Sequence, residues 1–306
     1  MLKTDPSAEH GELSMPLRKL KEETADSLTL QWVLHVQNYK LMLDRNRCVG
    51  CQVCSLACPK EAVTVQKQSR TVGQKVRRAS VDVDLSKCNF CGICDIVCPY
   101  GAIRVTLNGK HALGVVEKES FPQLMRDVQV DEGKITGEIS KVKDPCPLGL
   151  IRITSTAESG KVKVEVDKEH CPCCTVCEVK LPDVMHVRKI LSGKINIRTE
   201  KCPLGCTDCL DVCPITGALY LSEPDKKVRP NESFCVYCGA CKIVCPIEDA
   251  LELKRIHINH TPIHSGAWNK TLERLTSPVE MTKELKTKGS ARARESVKKR
   301  VGLKGD

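Results

Sequence analysis

The chain of 306 residues contains 21 cysteines, and most of them occur in a repeated pattern that can perform redox chemistry. Three segments, which begin at Cys48, Cys88 and Cys235, have the spacing C-x2-C-x2-C-x3-C followed by proline. A fourth segment begins at Cys202 and has one additional residue in its first gap. Thiolates at such short spacing bind zinc or the iron of iron–sulfur clusters.

The spacing resembles that of bacterial-type ferredoxins with two 4Fe–4S clusters, and its repetition resembles the polyferredoxins of methanogenic archaea. The resemblance covers residues 44 to about 107 and about 142 to 254. It implies that three cysteines of a segment bind one cluster, while the fourth reaches the neighbouring cluster. The implied ligands are Cys48, Cys51, Cys54 and Cys98 for cluster 1, Cys88, Cys91, Cys94 and Cys58 for cluster 2, Cys202, Cys206, Cys209 and Cys245 for cluster 4, and Cys235, Cys238, Cys241 and Cys213 for cluster 5.

Five further cysteines predict one more cluster, in a module whose second cluster has been lost. A triplet with two-residue gaps has Leu181 at the place of its fourth cysteine. Upstream, Cys146 is followed by proline as Cys98 is, but no cysteines precede it at the expected distances. The positions that have lost cysteine together are Thr136, Ile139, Val142 and Leu181.

This correlated loss predicts a degenerate module in which one cluster remains. By the same pairing, the ligands of this cluster 3 are Cys146, Cys171, Cys174 and Cys177. Cys173 is then free, and the predicted total is five 4Fe–4S clusters. A zinc site, or a site without a cluster, stays open as the alternative at these residues.

Zinc and disulfides are the alternatives for the cysteines as a whole. Zinc sites commonly use two C-x2-C pairs separated by a longer loop, unlike these triplets. An odd number of cysteines cannot be fully paired, and residues 1–15 lack the apolar stretch of a secretory signal. We therefore expect a cytoplasmic protein with reduced thiols and no transmembrane segment, which can be peripheral to a membrane-bound complex.

Short strands are expected to position the cysteine loops. The chain has only nine aromatic residues, so the clusters rather than large side chains are expected to fill the small cores. We therefore expect an α+β fold of tandem ferredoxin-like (βαβ)2 modules, two with two clusters and one degenerate, and a largely unfolded apo-protein. The predicted strands are 40–43, 62–65, 81–84, 103–107, 161–166, 195–198 and 219–221.

The sequence divides into five regions. An extension (1–43) precedes a two-cluster module (44–110), the degenerate module (111–198), a second two-cluster module (199–255) and a basic C-terminal extension (256–306).

Both extensions have features of their own. In the first, apolar residues alternate from Leu28 to Val36, which predicts a strand that forms a hairpin with 40–43 and in which Trp32 serves packing. From residue 283 onward, nine basic residues face three acidic ones, which predicts a disordered tail. The histidines of the C-terminal extension are expected to be surface residues rather than metal ligands; they are His257, His260 and His264.

The predicted function is electron transfer, because clusters of this kind carry single electrons and no catalytic motif is present. We expect a non-catalytic polyferredoxin or, given the extensions, an electron-transfer subunit of a larger anaerobic oxidoreductase, with redox proteins as partners and no small-molecule substrate. The resemblance extends to subunits of hydrogenase, formate or formylmethanofuran dehydrogenase and heterodisulfide reductase assemblies. The middle cluster is expected to bridge the two pairs, so that Cys174→Ser interrupts transfer between the ends.

Parts of the sequence also fit two other functions. The triplet Cys202, Cys206 and Cys209 has the spacing of radical S-adenosylmethionine enzymes, but Cys213 supplies a fourth cysteine and too few residues remain for a barrel. A nucleic-acid-binding protein would use the basic tail, which lacks aromatic residues for stacking. The formal net charge of +10 is not evidence for it, because five oxidised clusters with their thiolates contribute about −10.

Overall fold

The computed structural model describes residues 18–68, 76–136, 138–139, 142, 144–155 and 162–276. Within these residues, antiparallel strand pairs alternate with short helices in three successive units. We call them the first module (38–107), the middle module (127–188) and the third module (191–258). Their buried side chains form one connected core. The architecture is therefore mixed α and β, as the sequence predicts.

Two strands precede the first module and widen its sheet. β1 (Arg18–Glu23) pairs with β2 (Ser27–Val33), which forms a hairpin with β3 (Asn38–Asp44). Leu28 and Leu30 are fully buried because alternate residues of β2 face the core. The first strand, β1, is exposed along its whole length and has no apolar alternation that would predict it.

Trp32 packs between two other aromatic rings of the first module. Its ring centroid lies 5.9 Å from that of Tyr39 and 6.3 Å from that of Phe90. The strand is shorter than the sequence alternation predicts: it ends at Val33, and Val36 is 84% exposed. The chain must leave the sheet there to make the turn into β3.

The first module consists of an outer and an inner strand pair. β4 (Val63–Gln66) and β5 (Ser80–Val83) form the inner pair, while β3 and β6 (Ile103–Leu107) form the outer pair. Helices α1 (Val53–Ala57) and α2 (Ile93–Ile96) follow the two cysteine loops. Each loop is thus held between an incoming strand and a helix. Residues 69–75, in the segment expected to be an inserted loop, lie outside the described residues.

The middle module repeats this arrangement. Helix α3 (Gly114–Glu117) links it to the first module. Its outer pair is formed by the first and last strands and its inner pair by the other two, all antiparallel. Its elements are β7 (Asp127–Val130), β8 (Ile151–Ser155), β9 (Val162–Val166), α4 (Val176–Lys180) and β10 (Met185–Arg188).

The third module has the same two pairs, β11 with β14 outside and β12 with β13 inside. Its first outer strand, β11, begins at Leu191 rather than at the predicted residue 195. Its other outer strand, β14, is absent from the predicted strands and continues past residue 255, the predicted end of this module. Its elements are β11 (Leu191–Ile197), α5 (Asp208–Val212), β12 (Leu219–Leu221), β13 (Val228–Pro230), α6 (Ala240–Val244) and β14 (Leu251–Ile258).

A C-terminal helix, α7 (Gly266–Thr276), packs on the first and third modules. Trp268 anchors it: the ring is 1% exposed, meets Phe121 edge-on at 5.7 Å, and donates from Nε1 to Nε2 of His260 at 3.1 Å. The sequence analysis predicts only an extension in this region and no helix. The tail from residue 283 lies outside the described residues.

No helix of the described residues is both long and apolar enough to cross a membrane.

Candidate metal centres

The three loops with unaltered spacing and the triplet of the middle module have the same backbone conformation. In each, the residues immediately before and after the second cysteine have positive φ angles. This conformation turns successive cysteine side chains towards a common centre, and it is costly for residues other than glycine. The paired positions are Gly50 and Gln52, Phe90 and Gly92, Cys173 and Thr175, and Tyr237 and Gly239.

Cys173 is one of these turn residues, which distinguishes it from the other cysteines. It occupies the position of Gly50 in the first loop, is fully buried, and its Sγ lies 3.8 Å from the carbonyl oxygen of Cys171. Its neighbour Cys171 has a pKa lowered to about 7, first by a hydrogen bond from Cys173. The structure therefore places Cys173 beside the predicted ligands rather than among them.

The segments that follow the fourth cysteines also share a conformation. A residue with positive φ occurs three or four positions after the cysteine of each Cys-Pro pair, and Gly149 has this place after Cys146. In the first module, the backbone N–H groups of Ala62 and Ala102 donate to Sγ of Cys58 and Cys98 at 3.3 and 3.2 Å. These N–H donors stabilise a thiolate.

Three of the five predicted cysteine quartets each line a small cavity. The cavity of the middle module is closed by eight apolar or proline residues besides its four cysteines. The quartets concerned are those of cluster 2 (Cys58, Cys88, Cys91, Cys94), cluster 3 (Cys146, Cys171, Cys174, Cys177) and cluster 5 (Cys213, Cys235, Cys238, Cys241).

The other two quartets are brought together as well. Burial raises the pKa of Cys54 well above its ordinary value, and the next causes are the nearby thiols of Cys51 and Cys98. Burial likewise raises the pKa of Cys209 to about 12, followed by the effects of Cys206 and Cys245. Thiols that are crowded and buried in this way lose their protons readily only when a metal binds their sulfur atoms.

The quartets suit clusters better than single ions. Among the described residues, no three His, Cys, Asp or Glu side chains lie close enough to hold one metal ion, although four cysteines surround each of three cavities. The cavity of cluster 5 is also lined by Tyr100 of the first module, whose buried hydroxyl lies beside Cys238; burial and then the nearby Cys238 thiol raise the pKa of this hydroxyl well above its ordinary value. Sulfide or thiolate at a cluster would accept a hydrogen bond from this hydroxyl.

The loop with the longer gap, around Cys206, differs from the others. Gly205 has a positive φ, but Thr207, the next turn residue, has a φ of −120°. Leu204 is 99% exposed at its tip, and Cys202, Cys206 and Cys209 are only half-buried. The additional residue therefore opens the loop at the surface while its cysteines still lie near Cys245.

Mostly apolar side chains lie at the four positions of the middle module where the sequence analysis predicts that cysteines were lost. Ile139 and Leu181 are 7% and 4% exposed, Val142 is half-buried, and Thr136 is exposed. Leu181 continues the turn of the preceding helix by donating its N–H to the carbonyl oxygen of Cys177 at 2.8 Å. At the described positions of this half, the buried side chains are therefore apolar.

The three modules contact one another pairwise. Gly101 of the first module lies against the backbone of Glu169 in the middle one, and Thr175 of the middle module donates to the carbonyl oxygen of Ser233 in the third at 2.7 Å. Between the first and third modules, Cys238 is the nearby thiol that contributes most to the raised pKa of Cys51, after burial. The middle module therefore does not alone connect the other two, contrary to the linear order that the sequence suggested.

Comparison with known proteins agrees with these geometries. Residues 47–102 and 192–248 match the 4Fe-4S dicluster domain family. The chain carries two dicluster domains. They correspond to the first and third modules, account for four 4Fe–4S clusters, and make the chain an iron–sulfur electron-transfer protein. The second domain includes the triplet that begins at Cys202, so the radical S-adenosylmethionine alternative is not favoured.

One solved structure is similar to most of the chain. It is a chain of the formate dehydrogenase–heterodisulfide reductase–formylmethanofuran dehydrogenase complex from Methanospirillum hungatei. The two chains are 29% identical with a TM-score of 0.73, and the match covers 85% of this chain and 91% of that one. No match was found among curated protein sequences.

Proposed function

We propose that the chain is a non-catalytic electron-relay subunit of a larger oxidoreductase, and that it holds five 4Fe–4S clusters on the five cysteine quartets. The observation that carries this proposal is the close packing of the three modules around one core. Electrons pass between clusters only over short distances, so the contacts between modules matter as much as the ligands. When bound, the clusters supply one-electron redox chemistry.

The fifth cluster is supported by the middle module's own geometry. Cys146 lines the same cavity as the triplet and lies before a Gly149 turn like that of Gly101 in the first dicluster domain. Burial raises the pKa of Cys177 to about 12, and Cys146 is among the thiols that contribute. Four converging thiols in an apolar cavity form the donor set that a cubane requires.

The contacts between modules support a particular order of electron transfer. Where the first and third modules meet, Cys51, a predicted ligand of cluster 1, approaches Cys238, a predicted ligand of cluster 5, so clusters 1 and 5 would be neighbours and clusters 2 and 4 the outer members of the two pairs. Cluster 3 lies beside both of these inner clusters. We therefore expect Cys174→Ser, which removes cluster 3, to leave a direct route between the ends.

The partner assignment rests on the similar chain of known structure, which is part of a complex. A relay subunit has to dock at both ends, whereas a free polyferredoxin exchanges electrons by collision. The test is anaerobic isolation of the native protein through an affinity tag, followed by identification of the co-purifying chains. We expect stoichiometric subunits of a formate, heterodisulfide or formylmethanofuran oxidoreductase. A cluster-loaded protein that elutes alone would identify a free carrier instead.

A further inference from the structure

Each of the three contacts between modules contains a basic side chain that is buried or half-buried and binds the backbone around the predicted ligands; Lys67 of the first module also binds the carbonyl oxygen of Cys245 at 3.0 Å, but it is exposed. We call Arg126, Lys189 and Arg255 the interface cations. Among the described residues, no carboxylate lies within ion-pair distance of any of them. Arg255 is buried, whereas Arg126 and Lys189 are half-buried. A cation removed from water without an acidic partner is costly, so these positive charges, and that of Arg255 above all, require another source of compensation.

Arg126 joins the first module to the middle one. Its Nη1 donates to the carbonyl oxygens of Pro99 and Cys171 at 2.7 and 2.6 Å, and its Nη2 donates to that of Cys98 at 2.8 Å. Cys98 is a predicted ligand of cluster 1, and Cys171 is a predicted ligand of cluster 3. The guanidinium therefore lies between these two clusters.

Lys189 joins the middle module to the third. Its ammonium donates to the carbonyl oxygens of Glu232 and Cys235, the latter at 2.9 Å, and lies 5.2 Å from the ring centroid of Tyr237. The carboxylate of Glu232 accepts a hydrogen bond from the N–H of Ile195 at 3.0 Å instead. Cys235 is a predicted ligand of cluster 5, so the charge of Lys189 lies at that cluster.

Arg255 lies at the contact of the third module with the first and is the most deeply buried of the three, at 4% exposure. It donates to the carbonyl oxygens of Tyr237, Cys238 and Leu275 at 2.8, 2.6 and 3.2 Å. A Cβ on Gly239 would lie 3.2 Å from its Nη2 and 3.7 Å from the carbonyl oxygen of Cys51. The guanidinium therefore stands between clusters 5 and 1.

We propose that the three interface cations are redox-positioning residues, which stabilise the reduced states of clusters 1, 3 and 5 at the place where the modules meet. The proposal rests on the five-cluster function proposed above. Reduction adds one negative charge to a cluster, and a fixed positive charge nearby favours that change most strongly where water is excluded. The clusters in turn supply the negative charge that compensates the interface cations.

The pairwise placement makes the expected effects selective. Removing the charge of Arg255 lowers the midpoint potentials of clusters 1 and 5. Removing the charge of Lys189 lowers the midpoint potentials of cluster 5 and of cluster 3, its neighbour in the middle module. Clusters 2 and 4 keep their potentials. For each affected cluster, we expect the ratio of the reduced to the oxidised form at a fixed potential to fall about tenfold. This change corresponds to a decrease of about 59 mV in the midpoint potential of a one-electron couple.

The experiment is an anaerobic redox titration of the full, cluster-loaded chain, followed by electron paramagnetic resonance with spin quantification. The variants are Arg255→Gln and Arg255→Lys, together with Lys189→Gln and Lys189→Arg in case the buried arginine is needed for folding. The matched control is Arg229→Gln, which removes an exposed arginine that pairs with Asp225 in the same module. Iron and sulfide are counted in every preparation.

In this series of variants, a loss of positive charge and a disturbance of the structure predict different changes in the midpoint potentials. We expect Arg255→Gln and Lys189→Gln to lower the potentials of a subset of clusters, the charge-conserving variants to restore most of the shift, and the control to match the parent. Unchanged potentials in fully loaded glutamine variants, or equal shifts in the lysine and glutamine variants, would overturn the proposal. A parent protein with fewer than five clusters would instead contradict the proposed function.

Discussion

The first and middle modules have the same two strand pairs but fill them differently. In the first module, both cysteine loops turn through two positive-φ positions and both line a cluster site. In the middle module, the loop that ends at Cys177 has the same two turn positions, while Ile139 and Leu181 are buried apolar residues where the other ligands would be. Among the described residues, the comparison shows that apolar side chains can take the positions of cysteines in one half of a module while the other half keeps the backbone conformation of a ligand loop.

The largest difference between the modules should appear when the clusters are removed. We expect chelation of iron under reducing conditions to unfold the first module, because its small halves have little other core. In the middle module, residual structure should be confined to the half around Leu181. Backbone amide NMR of the cluster-free chain provides the measurement. A spectrum with the dispersion of the folded protein for residues 44–107 would contradict this view.

A second test compares two cysteines of the middle module. Cys146→Ser removes a predicted ligand, so we expect the loss of about four iron atoms per chain or conversion to a three-iron cluster. Cys173→Ser changes only a turn residue and should leave the iron content unaltered. Iron analysis and Mössbauer spectra of both variants decide the matter, and the reverse outcome would assign Cys173 as the ligand.

A third test concerns the half of the middle module that contains Leu181. Leu181→Ala creates a cavity in the middle module, and we expect a loss of about 2–5 kcal/mol in the free energy of unfolding with unchanged iron content. The control is Leu204→Ala at a fully exposed position, with an expected change below about 0.5 kcal/mol. Anaerobic denaturant unfolding followed by circular dichroism measures both. Loss of iron in the first variant would mean that Leu181 supports cluster 3 rather than replacing a cluster.

The smallest effect is expected at two equivalent turn glycines. Gly101 and Gly149 both have positive φ, so alanine costs about 1–2 kcal/mol at either. At Gly101 the new Cβ would also lie 2.9 Å from the carbonyl oxygen of Glu169, across the contact with the middle module, whereas Gly149 has open space. We expect Gly101→Ala to be the more destabilising by about 1–3 kcal/mol in the same unfolding assay. Equal losses in the free energy of unfolding would mean that the contact between the first and middle modules adjusts to the new Cβ at little cost.

The cysteine spacing predicts the modules because local sequence sets the loop conformation. The same two turn positions recur in every regular loop, so residues such as Gly92 and Gly239 could be placed from the sequence alone. The parallel between Cys146 and Cys98 also lies within a short stretch, and it is reflected in the matching turns at Gly149 and Gly101.

Contacts between distant parts of the chain left no such signal. Arg255 is an ordinary basic residue in a strand with alternating burial, and nothing local indicates that it meets Cys238 beside Cys51. Helix α7 was missed because its anchor, Trp268, is buried through partners as distant as Phe121. The direct approach of the first and third modules depends on these long-range contacts, which is why a linear order was expected from the sequence.

The number of clusters tests the account most directly. Protein prepared anaerobically with its clusters intact should contain about 20 iron atoms and about 20 acid-labile sulfides per chain, with all iron in 4Fe–4S form by Mössbauer spectroscopy. About 16 of each would restrict the clusters to the two dicluster domains. That result would contradict the view that the middle module is a cluster-binding unit that has lost one of its two clusters.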